Sequence, residues 1–217
     1  MLTPRYLEDA PDAMVELYSQ VEADILADMA RRISKYDFFI PAAEHQMRML
    51  EEMGDEQAYI LEKLAELTGR SEKELRQLFE EAGGKALVSD QADYRKAGLH
   101  PPALNTSKEL QQVLNAGLRK TKGLFINLTR TTALDSGGQF REVLDRAWLQ
   151  VNTGGFDANT AIRNAVKDLT RQGLTTVDYA SNRTISVEAA VRMNVVTGVN
   201  QTALQLQDTL ADEMDSD

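Results

Sequence analysis

The stretch DAMVELYSQVEADILADMARRISKYD, residues 12–37, decides the fold class. Its apolar positions Met14, Leu17, Tyr18, Val21, Ile25, Met29 and Ile33 advance by three and four, the period of one helical face. A half-buried strand would alternate every second residue instead. The helix is predicted to end between residues 35 and 37, because Ile40 precedes Pro41 and pre-proline residues avoid the helical region.

Outward from there, Pro41 fits the first turn of a second helix reaching about Met53. Gly54–Asp55 is expected to separate it from a third, residues 56–67, with the stripe Tyr59, Ile60, Leu64 and Leu67, closed by Thr68–Gly69. Ser71 followed by Glu74 has the form of a capping box. It predicts a fourth helix that buries Leu75, Leu78 and Phe79 and ends at Gly83–Gly84. Residues 86–97 suit a further helix, and residues 98–105, holding Pro101–Pro102, are the best boundary.

Beyond it, Thr106 with Glu109 forms a second capping box before Leu110, Val113, Leu114 and Leu118. The run 124–128 suits helix or strand. Asp135 to Gly138 reads as an exposed turn before a helix over 139–151, with Phe140, Val143, Leu144 and Trp148 inward. Asp157 is expected to cap a helix that buries Ala161, Ile162, Ala165, Val166 and Leu169 and stops at Gly173. Residues 175–186 suit a small hairpin, and Val187 opens a last long helix through Leu210. The expected fold is mainly α, a multi-helix array or bundle with at most one small β-hairpin near 175–186. Its expected parts are an acidic helical region (1–98), a linker (99–105) and a C-terminal helical region (106–217).

With 42% hydrophobic and 27% charged residues, the chain is expected to fold and not to be disordered throughout. Cysteine is absent, which removes disulfides, thiolate metal sites and cysteine nucleophiles. Residues 1–12 lack the apolar core of a signal peptide, and no stretch reads as a membrane span, so no membrane partner is expected. Residues 1–100 hold 12 basic and 21 acidic side chains, residues 101–180 hold 10 and 7, and residues 181–217 hold 2 and 6. An acidic first half repels phosphate backbones and forgoes the counterion release that normally drives nucleic-acid binding.

No catalytic, cofactor or metal constellation is legible, and the chain is expected not to be an enzyme. His45 reads as a partly exposed helix residue and His100 as a loop residue. Gly83-Gly84-Lys85 lacks the spacing of a phosphate loop and reads as a helix end. Asp135-Ser136-Gly137 lacks the pattern around an activated serine. Arg119, Lys120, Lys122 and Arg130, beside Phe125, form the one cationic cluster, able to meet DNA or an acidic protein surface. On the last helix Val187, Val191, Val195, Gly198, Val199 and Leu206 make a seam of small and branched residues, a candidate protein interface or an intrachain packing face.

Three stretches together resemble the phage minor capsid protein 2 family. These are Leu17-Tyr18 through ILADMARRI at 25–33, then LAELTGRS at 64–71 leading into residues 74–79, and VDYASNRTISVEAAVRMNVVTGVNQT at 177–202. The resemblance covers nearly the whole chain. It implies a structural head protein of a tailed phage, assembled near the portal, with the portal or major capsid protein as partner and self-association as a further option. It also implies residence in the virion head, and in the host cytoplasm during assembly. In the family a further domain, richer in histidine and aromatics, follows the last helix; the chain is expected to be the N-terminal region of such a protein or a naturally short member. DNA contact through the basic cluster is the alternative.

Overall fold

A computed structural model describes residues 2–178 and 183–215. Helix α1 spans Pro4–Asp9, capped by the Thr3 side chain, which accepts from the Tyr6 amide at 3.2 Å. Helix α2 spans Asp12–Lys35, α3 Ala42–Lys96, α4 Lys108–Asn152 and α5 Ala158–Gln172. Strands β1 (Thr175–Asp178) and β2 (Arg183–Ser186) pair antiparallel, with Thr175 opposite Ser186, and α6 follows as Val187–Asp215. The mainly helical array with one small two-stranded element is the expected fold class; residues 179–182 of the expected hairpin lie outside the described residues.

Several expected breaks are absent. Residues 42–96 form one helix, so Gly54, Gly69 and the Gly83–Gly84 pair are interior positions, and Ser71 is a buried mid-helix residue and not a cap. The reason is visible in the burial phase. His45, Met49, Glu56, Ile60, Leu64, Leu67, Ser71, Leu75, Phe79, Ala82 and Ala86 are buried at steps of three, four or seven without a slip. A helical glycine costs about 1 kcal/mol relative to alanine, less than breaking a stripe held by tertiary packing.

Residues 108–152 likewise form one helix. Asp135 to Gly138 is therefore helical, and Ser136 is fully buried, its hydroxyl donating to the Thr132 carbonyl at 2.6 Å. The α4 cap is Ser107 and not Thr106, since the Ser107 Oγ accepts from the Leu110 amide at 3.0 Å while Thr106 bonds back to Ala103. Asp157 caps α5 as expected, accepting from the Thr160 amide at 3.1 Å. The chain turns instead where Gly98, Gly154 and Gly173 take positive φ.

Two compact units divide the chain. One comprises Met1–Glu16, Gly69–Ile126 and Val191–Asp217; the other comprises Leu17–Thr68 and Asn127–Ala190. The first buries Met14, Leu75, Phe79, Leu87, Leu114, Phe125, Val195 and Leu210. The second buries Ile25, Met29, Ile33, Phe38, Ile60, Phe140, Leu144 and Leu169. Sequence on both sides of Pro101–Pro102 contributes to each.

Candidate functional site

In the second unit, the first turn of α3 carries His45, and the stripe phase that buries Met49 also buries the imidazole completely. Its Nδ1 lies 2.8 Å from the Tyr36 hydroxyl and its Nε2 3.0 Å from the Asp145 carboxylate on α4. A hydrogen on Nε2 donates to Asp145 and leaves Nδ1 to accept from Tyr36, so one tautomer satisfies both sides. Burial, together with nearby carboxylates and against the Arg48 charge, pushes the Tyr36 hydroxyl up to about 12, which keeps it a donor.

The His45 ring stacks on Trp148 with centroids 4.4 Å apart and planes 6° from parallel. Trp148 Nε1 donates to the Ile40 carbonyl at 3.1 Å, and Asn152 Nδ2 donates to the Phe38 carbonyl at 2.7 Å. Successive turns of α4 thus hold the α2–α3 connection through its backbone. The expectation of a partly exposed His45 is corrected: it is the centre of a buried polar lock.

Also in the second unit, α2 presents Asp28, Arg31 and Arg32 to one another and to α3. Arg32 donates to Asp28 at 2.6 Å and to Glu52 at 3.1 Å, and Arg31 also bonds Asp28. Burial pushes the Asp28 carboxyl up, but the hydrogen bonds and charges of Arg32 and Arg31 outweigh it and hold the group below the usual range. Glu56, one α3 turn beyond Glu52, is fully buried, and neither carboxyl oxygen has a partner among the described residues. Burial raises it to about 7, against the Arg32 charge and with the Asp28 charge. On α2 as well, Glu22 accepts from the Leu174 amide at 2.7 Å and so anchors the start of the hairpin.

The four residues of the expected cationic cluster all lie on α4. Arg119, Lys120 and Lys122 belong to the first unit and Arg130 to the second. Lys120 donates to Gln201 at 3.0 Å and Lys122 pairs with Glu72 at 2.8 Å. Arg119 and Lys122 line a surface cavity of about 240 Å³ in the first unit, with Glu72, Leu75, Arg76, Asn115 and Leu118.

Among the described residues no group of three or more His, Asp or Glu side chains is arranged to hold a metal ion, and no helix is long and apolar enough to cross a membrane. Comparison with known families gives a match to the profile described as phage minor capsid protein 2, over residues 2–217. The chain belongs to the phage minor capsid protein 2 family. Curated proteins and solved structures gave no match.

In this minor capsid protein the α6 seam is filled by the chain itself. Val187 is buried in the second unit; Val191, Val195, Gly198, Val199 and Leu206 are buried in the first. Gly198 faces Thr121 of α4 and Phe79 of α3, and Leu206 packs at Gly83 of α3. Composition alone left partner and intrachain packing open, because a small-residue seam suits both.

In this family member, sequence alone places His45 on a helix but not in a buried cluster, and it singles out neither Asp145 nor Glu56. The phase of the α3 stripe carried a signal for two of them, since His45 and Glu56 fall in step with Met49, Ile60 and Leu64. Asp145, a hundred residues away in sequence from His45, offered none.

Proposed function

We propose that this minor capsid protein acts in head and portal assembly of a tailed phage, through contacts with the portal protein, the major capsid protein or both. It enters the virion head from the host cytoplasm and has no catalytic step of its own. The observation that carries this reading is the family match over residues 2–217. Exposed apolar side chains in the second unit support protein contacts. Phe39 is 78% exposed, Met47 62% and Leu50 65%, the last two neighbouring on the α3 surface at i and i+3.

The alternative reading, DNA contact through Arg119, Lys120, Lys122 and Arg130, draws less support from the charge. The chain carries −10 overall, and Lys120 and Lys122 already have partners within it. Quantitative mass spectrometry of purified full and empty heads tests the proposal. The protein is expected at a constant copy number in both; absence from washed heads would contradict it, and presence only in DNA-filled heads would favour the alternative.

A further inference from the structure

We propose that the surface cavity between α3 and α4 in the first unit is a seat for a short acidic segment of another head protein, a glutamate or aspartate flanked by apolar residues. The inference rests on the structural reading above. Three cations border the cavity, Arg76, Arg119 and Lys122, against a single lining carboxylate, Glu72. Glu72 is engaged by Lys122 at 2.8 Å, and Arg76 makes only a long 3.7 Å contact with Glu80. The Arg119 guanidinium has no hydrogen bond or ion pair with any described residue. Its planar fork is suited to two parallel bonds to one carboxylate.

The rest of the lining selects among anions. Leu75 and Leu118 give the cavity an apolar component that a bare phosphate would not use. Asn115, whose Nδ2 donates to the Gln111 carbonyl at 2.8 Å, offers its side-chain carbonyl to a peptide N–H. A volume of about 240 Å³ admits one acidic side chain and an apolar neighbour. A nucleic-acid backbone meets a different field, because a polyanion extends beyond the local cations into that of a chain of net charge −10. Screening beyond about 8 Å at physiological salt leaves the cavity cations dominant for a compact anion at contact.

The test is titration of the isotopically labelled whole chain, followed by NMR at the Asn115 side-chain amide and the Arg119 Nε–H. The probes are acetyl-Leu-Glu-Leu-amide, its Gln counterpart, inorganic phosphate and a short DNA duplex. The Glu peptide is expected to give saturable shifts at both groups. Arg119→Ala should weaken it about tenfold or more, while Lys108→Ala, an equal charge change at an exposed α4 position, should not. The Gln peptide, phosphate and duplex should bind more weakly than the Glu peptide. Equal binding of the two peptides, or phosphate or duplex binding at least as tightly, would overturn the proposal, as would an unchanged affinity in Arg119→Ala. Peptide binding by a protein missing from purified heads would instead fault the assembly reading and leave the cavity assignment standing.

Discussion

Thr202 of α6 occupies the space that a Cβ at Gly117 of α4 would need, and four residues along each helix the roles reverse, with Thr121 of α4 against Gly198 of α6. The two helices therefore run antiparallel in the first unit and interlock through a glycine and a threonine from each. The close approach requires glycine at both positions, since any Cβ would meet the opposing threonine side chain.

Gly117→Ala and Gly198→Ala are each expected to destabilise the fold by about 1–3 kcal/mol through overpacking. Gly54→Ala and Gly138→Ala should do the opposite. Both are exposed helical positions with nothing within 4 Å of the added methyl, so each should stabilise by about 0.5–1 kcal/mol. Urea unfolding of the four variants separates a packing role from simple helix propensity.

The His45 lock predicts a larger loss. His45→Ala removes the partner of Tyr36 and Asp145 and the ring that stacks on Trp148, and should cost about 2–4 kcal/mol. Trp148 is the single tryptophan, so its emission reports the site directly. A red shift under native conditions is expected, and an unchanged spectrum would show that the stack does not shield the indole.

Glu56 should make stability depend on pH. Its folded value of about 7 lies above the ordinary 4.5. A group raised in this way favours the folded state fully below its unfolded value, and that contribution is lost as pH rises through its folded value. Glu56→Gln should therefore match the wild type near pH 4.5 and exceed it by about 1–3 kcal/mol at about pH 8. Asp28 works in the other direction, since its carboxyl is held below the ordinary 3.8. Its contribution is present above that value and is lost as pH falls through the lower folded one. Asp28→Asn should accordingly weaken the fold at neutral pH and lose its effect in strong acid.

The helical class, the limits of α2 and the Asp157 cap were legible because period, proline and cap chemistry are local. The breaks at Gly54, Gly69, Gly83–Gly84 and Gly137–Gly138 were misread because a glycine's cost is local while its compensation is tertiary. Proline was the better punctuation. Pro4 lies at the start of α1, Pro11 and Pro41 lie just before α2 and α3, and Pro101–Pro102 lie between α3 and α4. Between Pro41 and Pro101, and after Pro102, no proline interrupts the chain. The basic residues 119–130 follow one helix, α4, across the boundary between the two compact units, so their proximity in sequence says nothing of which unit each belongs to.

Whether this minor capsid protein assembles with the portal or major capsid protein of the same phage is decided by coexpressing all three and determining the native mass of what co-purifies. A stoichiometric complex with either protein is the expected result. A lone monomer in the presence of both would contradict an assembly role carried by this chain.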